Sequence, residues 1–239
     1  MTGTPRTAPT LLLDFDGTVA LGDEPVLAYA RELAQAADAP ELVERVHGFL
    51  ATGRDDVHAV DDGYLFAQAL GHELGLDGAR IGRAYLDSRA GVTAGDVPQH
   101  AAPGLRDASD AVRAAGGRVV LVTNAPADGL DGLLARMGVA DAFDAVVGDA
   151  RKPDGMGAIL DELLAEGVPA SRIASVGDIW RNDLEPAFER GCRTGLIDRF
   201  GLRRGPADWV AADLAGLVPY LADWSRRAEA PAERPHGGL

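Results

Sequence analysis

Two aspartates separated by one residue, Asp14 and Asp16, end an apolar run and are followed at once by Gly17 and Thr18. On a strand, residues two apart point the same way, so both carboxylates face one pocket. At that distance they repel unless a cation lies between them or one is protonated. Gly17 permits a sharp turn, after which backbone amides can receive an anion's oxygens. Alone, the stretch reads equally well as a polar strand end with an Asx turn. A second apolar run, Val119 to Val122, ends in Thr123 and Asn124 just before a helical segment. A hydroxyl and helix amides there suit a phosphate, although simple helix capping would use the same residues. Lys152 is singled out by composition: of the 23 lysines and arginines, every other one is arginine. One ammonium in an otherwise arginine-only chain marks a position that needs a compact charge rather than a planar fork. The fourth stretch runs Val176-Gly-Asp-Ile-Trp-Arg-Asn-Asp183. A hard cation such as Mg²⁺ takes one or two carboxylates with waters and phosphate oxygens. Asp178 suits a ligand, and Asp183 a ligand or the support of one.

The elements that would position these residues alternate regularly after residue 100. Strands are expected at Thr10–Asp16, Arg118–Val122, Ala145–Val147, Arg172–Val176, Thr194–Ile197 and Trp209–Ala211. Helices are expected near Ala127–Met137, Met156–Glu166, Asp183–Arg190 and Leu214–Trp224. Strand–helix alternation implies a parallel sheet with helices on both faces, and ligands bind such sheets at the carboxyl ends of their strands. Residues 21–100 break the alternation with four helical patterns: Glu24–Ala37, Pro40–Ala51, Gly63–Leu74 and Gly78–Arg89. A crossover between parallel strands needs only a dozen or so residues, so 21–100 is expected to be an inserted helical domain. Residues 10–20 and 101–224 would form the core, Gly91–Gly104 the returning linker, and 1–9 and 225–239 disordered tails.

The chain of 239 residues is 46% hydrophobic and 25% charged, enough to bury a sizeable core. A net charge of −14 disfavours binding to nucleic acid or an anionic membrane through a broad basic surface. A single cysteine, Cys192, excludes an internal disulfide. Without a signal-like start or a run of roughly 18 apolar residues, a cytoplasmic protein is expected. The five histidines, at 47, 58, 72, 100 and 236, form no metal-spaced pair. Gly155-Met-Gly157 lacks the spacing of a dinucleotide fingerprint. Trp180 suits packing as well as a pocket wall. The polar loop Gly53–Asp62 and the helix after it offer Arg54, His58 and Tyr64 as groups for substrate contact.

Taken together, Asp14, Asp16 and Thr18, then Thr123 and Asn124, then Lys152, then Asp178 and Asp183, resemble the ordered motifs of the haloacid dehalogenase superfamily, most of whose members are phosphatases. The resemblance covers the whole ordered chain and implies a Rossmann-like, doubly wound core with an inserted helical cap. It further implies Mg²⁺, a small phosphorylated substrate, and hydrolysis through a phosphoaspartate. Asp14 would be nucleophile and metal ligand, and Asp16 acid–base and a metal ligand through its carbonyl. Thr123, Asn124 and Lys152 would hold the phosphoryl group, and Asp178 and Asp183 the metal. Dehalogenases and phosphonate hydrolases of this superfamily usually lack the second aspartate, so Asp16 favours phosphate esters. A sugar phosphomutase of the β-phosphoglucomutase type keeps both aspartates and is the main alternative, with a non-catalytic binding protein a more distant one. Neither substrate nor oligomeric state is legible.

Overall fold

A computed structural model describes residues 8–58 and 60–227. These divide into two compact units, one of residues 8–19, 102–124 and 141–227, the other of 20–101 and 125–140.

The first unit is built on six parallel strands: β1 (Thr10–Leu13), β4 (Arg118–Val122), β5 (Ala145–Val147), β6 (Ile173–Gly177), β7 (Arg193–Ile197) and β8 (Trp209–Ala211), ordered β5-β4-β1-β6-β7-β8. From central β1 the chain steps outward to β5, crosses back, and steps outward again to β8. The reversal beside β1 makes the carboxyl ends of β4, β1 and β6 the place where a ligand crevice opens. Leu11, Leu12 and Leu13 are fully buried, as expected of a strand covered on both faces. Leu12, Val120 and Val122 pack with Met156, Leu160 and Ala187 of α7 (Asp154–Ala165) and α8 (Glu185–Glu189). The pleat turns Leu11, Leu13 and Leu121 the other way. The remaining helices of the unit, α5 (Leu105–Ala114) and α9 (Leu214–Arg226), pack on one another.

The second unit holds α1 (Glu24–Ala37), α2 (Glu41–Thr52), α3 (Gly63–Glu73), α4 (Gly78–Ala94) and α6 (Leu130–Arg136). Strands β2 (Ala20–Leu21) and β3 (His100–Ala101) pair antiparallel where the long segment begins and ends. Helix α1 packs on α2, α3 and α4 around Leu33, Leu42, Val46, Phe66 and Leu70. Phe49 and Phe66 stack with ring centroids 4.5 Å apart.

The expected parallel α/β sheet is borne out; several boundaries need correcting. The strand expected to end at Asp16 stops at Leu13; Asp14 keeps one ladder hydrogen bond, and the turn begins at Phe15. The helix expected over Ala127–Met137 starts at Leu130, after Gly129 in a left-handed conformation (φ 74°), and clusters with the helical unit. A Cβ on Gly129 would strike Thr93 of α4, which shows how closely α4 and α6 approach. Helix α4 continues to Ala94 and ends at left-handed Gly95. The segment Asp183–Arg190 divides into a single wide turn, Trp180–Leu184, followed by α8. Helix α5 was not anticipated. Residues 8–9 and 225–227, assigned to the tails, are placed: Pro9 accepts a hydrogen bond from the Arg118 amide at 2.9 Å, and buried Ser225 lies inside α9. The remaining tail residues lie outside the described ones. No helix among the described residues is long and apolar enough to cross a membrane.

Candidate active site

The Asp14 amide donates to Val176 O at 3.0 Å, carrying the β1–β6 ladder one residue past the strand. The chain then turns, with the Thr18 and Val19 amides both returning to Phe15 O at 3.2 and 2.9 Å. Gly17 (φ 84°) sits at the turn, and a Cβ there would collide with the carboxylate of Asp178. Glycine is thus what lets the acid of the β6 end approach the β1 turn.

Asp178 follows β6 directly. Asp183, five residues on, folds back over it. Its amide donates to Ile179 O at 3.0 Å, its carbonyl accepts from Ser175 Oγ at 2.7 Å, and its Oδ2 accepts from the Ile179 amide at 3.0 Å. Gly177 makes room, since a Cβ there would meet the Asp183 side chain.

Lys152 lies on the loop after β5, beside a cis Lys152–Pro153 peptide. Its Nζ donates to Asp14 Oδ1 and to Asp183 Oδ1, both at 2.6 Å, and the residue is only 8% exposed. Burial alone would lower the ammonium's pKa, but Asp14 and then Asp183 hold it above its ordinary value. Burial pushes the Asp14 carboxyl up to about 7, against the pull of Lys152 and with a further push from Asp183.

Asp14, Asp178 and Asp183 each offer a carboxylate oxygen within 4.8 Å of the others, the one such group of acids, histidines or cysteines among the described residues. Asp14 Oδ2 is buried without a hydrogen-bond partner. Hard carboxylate donors, one with an unused buried oxygen, fit a divalent cation such as Mg²⁺, which would also favour the charged form of Asp14. Asp16 is half-buried and outside this side-chain cluster; its expected metal contact is through the backbone.

Thr123 is buried at the end of β4. The side chain of Asn124, a residue expected at the phosphate, pairs with the backbone of Lys152, accepting from its amide at 2.6 Å and donating to its carbonyl at 3.2 Å. The fold therefore gathers Asp14, Asp178, Asp183 and Lys152 into direct contact or close approach and ties Asn124 to them. The sequence reading missed Ser175, and quoted Gly177 without its role of making room for Asp183. Their only signal was a hydroxyl and a glycine in an otherwise apolar strand.

Trp180 packs edge-on to Phe188 at 5.5 Å and lies so close over Gly205 that a Cβ there would strike its ring. In the helical unit, His58 sits between Asp55 (Nδ1 to Oδ2, 2.9 Å) and Glu73 (Nε2 to Oε1, 3.2 Å). The Tyr64 hydroxyl accepts from Arg89 at 3.2 Å, and Arg54 is exposed. His47, His72 and His100 are exposed, and His236 lies outside the described residues.

The family model for haloacid dehalogenase-like hydrolases matches residues 8–189. A phosphoglycolate phosphatase of Vibrio parahaemolyticus is 29% identical over 228 residues, covering 89% of this chain and 95% of that protein. Among solved structures, a predicted phosphoglycolate phosphatase from Haemophilus somnus has a TM-score of 0.66 at 18% identity, covering 91% of this chain and 99% of its own. A haloacid dehalogenase-type hydrolase from Bacillus subtilis, bound to magnesium, gives 0.60 at 18% identity, with 90% and 99% covered. At such identities the structural likeness speaks to the fold. The family match spans most of the chain, and the resemblance carried by its acids and its lysine is borne out: this chain is a hydrolase and belongs to the haloacid dehalogenase-like family.

Proposed function

We propose that the chain is a Mg²⁺-dependent phosphatase that hydrolyses a small phosphomonoester through a phosphoaspartate on Asp14. The observation that carries this reading is the Lys152 ammonium held at 2.6 Å from both Asp14 and Asp183, beside the carboxylate of Asp178. Such a site offers a nucleophile, a fixed positive charge and a cation cradle at one sheet edge.

Bound among Asp14, Asp178 and Asp183, and the Asp16 carbonyl, Mg²⁺ would neutralise charge on the transferring oxygens. A carboxylate oxygen of Asp14 attacks phosphorus as the ester P–O bond breaks, and Asp16 gives its proton to the departing oxygen. Asp16 then takes a proton from water as that water attacks the phosphoaspartate, releasing phosphate and restoring Asp14. The covalent step divides one hard displacement into two easier ones. Lys152 and Thr123 hold the phosphoryl oxygens, where positioning and electrostatics supply most of the catalysis. Asp183 keeps Lys152 aimed.

The relative from Vibrio makes 2-phosphoglycolate the first substrate to test. A net charge of −14 supports a small anion held in a local positive pocket rather than nucleic acid or a membrane, and a single, buried cysteine suits the cytoplasm. The test is a screen of phosphorylated metabolites with Mg²⁺ and with EDTA, scoring free phosphate. Release of phosphate only with the metal is expected. An isomeric sugar phosphate as product would make the chain a mutase, and full turnover in EDTA would sink the metal reading.

A further inference from the structure

We infer that Asn124 is a positioning residue, which acts on the reaction by fixing the backbone of Lys152 rather than by touching phosphate. The β4–β5 ladder ends with Val122 opposite Val147. Past that point the Thr123 amide donates to Val147 O and the Ala150 amide to Thr123 O, both at 2.9 Å. There the backbones part, and the Asn124 side chain continues the pairing. Its Oδ1 takes the Lys152 amide at 2.6 Å and its Nδ2 gives a hydrogen bond to Lys152 O at 3.2 Å. A primary amide carries a carbonyl and an N–H in one plane, the same pair that a strand residue presents. Aspartate supplies only the acceptor, and serine is too short to span both.

The loop needs such a clamp. Asp149 and Arg151 both hold left-handed backbone (φ 48° and 55°), a region that non-glycine residues seldom occupy unless their surroundings impose it. On the far side, Gly155 lies so near Ala150 that a Cβ would strike its carbonyl oxygen. Between these fixed points stands the residue whose Nζ must meet two carboxylates at 2.6 Å. Releasing its backbone would let the ammonium move from both.

The catalytic half of this inference rests on the function proposed above, whereas the geometric half does not, and the lone lysine allows them to be read separately. Labelling with [¹⁵N]lysine gives one backbone amide signal, that of Lys152. In the unaltered protein it should be downfield and slow to exchange. In Asn124→Ala it should move upfield and exchange faster, while kcat on p-nitrophenyl phosphate with Mg²⁺ falls about 10–100-fold with little change in KM. Asn124→Asp keeps the acceptor and should keep the downfield signal, which also covers the case in which the alanine variant does not fold. An amide signal unmoved by Asn124→Ala, or lost in Asn124→Asp, overturns the clamp. A lost signal with kcat intact overturns its catalytic role, and a raised KM with kcat intact makes Asn124 a substrate contact instead. No turnover by the unaltered protein on any phosphomonoester counts against the proposed function alone, since the amide signals still decide the clamp.

Discussion

Asp14 and Asp16 are one residue apart in sequence but differ in surroundings, and their substitution should separate two steps. Asp14 is buried against Lys152, with one oxygen in its hydrogen bond and the other unused. Asp14→Asn should abolish the phosphoenzyme, scored by acid quench with ³²P-labelled substrate. Asp16→Asn should slow both ester cleavage and breakdown of the intermediate by about 10²–10⁴-fold, the usual contribution of a general acid–base. Near-normal turnover by Asp14→Asn would remove the nucleophile assignment. Lys152 permits a chemical test, because no other side-chain amine exists in the chain. Acylation there removes the charge that faces Asp14 and Asp183. Inactivation should follow modification of Lys152 in peptide mapping, and phosphate with Mg²⁺ should protect. Activity surviving complete acylation of Lys152 would refute its role.

The strands announce themselves more clearly than the turns between them. Leu11–Leu13 and Val119–Val122 are apolar, and Ile173–Val176 is apolar but for Ser175, because both faces of β1, β4 and β6 are covered, and each run leads into residues of the site. What escaped local reading depends on partners distant in sequence. Asn124 meets Lys152 across 28 positions, Ser175 serves the carbonyl of Asp183, and α6 (from Leu130) clusters with helices of which the last ends at Ala94. No period in the sequence encodes such pairings. Helix α5, by contrast, went unread although its pattern is local: Leu105, Ala108, Ser109 and Val112 fall at helical spacing and are all buried. Two substitutions test single elements. The Arg172 guanidinium, on the turn before β6, donates to the carbonyls of Trp224 (3.2 Å), Ser225 (3.0 Å) and Arg227 (2.6 Å), ending α9 from outside. Arg172→Leu should cost about 2–3 kcal/mol, within the range for hydrogen bonds to a charged donor, seen as a lower urea midpoint at constant m. No shift in midpoint would mean that α9 ends without help. Gly17→Ala should leave the fold in place but displace Asp178, weakening Mg²⁺ binding by calorimetry; unchanged affinity would show that the turn relaxes freely.

Across the molecule, two units each bury a core of their own, so unfolding need not be a single step. A cation that binds only the native acids should raise the melting temperature of the sheet unit. At a hundred times its Kd the stabilisation is about 2.7 kcal/mol. Asp178→Asn should abolish most of that rise in a Mg²⁺ titration followed by calorimetry, and an equal rise in both proteins would place the bound metal elsewhere. The core of the sheet unit also contains Cys192, fully buried between α8 and β7 beside Ala187 and Met156. A thiol reagent can reach it only when that core opens, and no second thiol competes for the signal. The chain thus carries its own clock for opening. With reagent dilute enough that closing outruns labelling, the labelling rate relative to an unfolded peptide gives the opening equilibrium directly. Its dependence on Mg²⁺ would separate motion that frees the site from motion that dissolves the sheet.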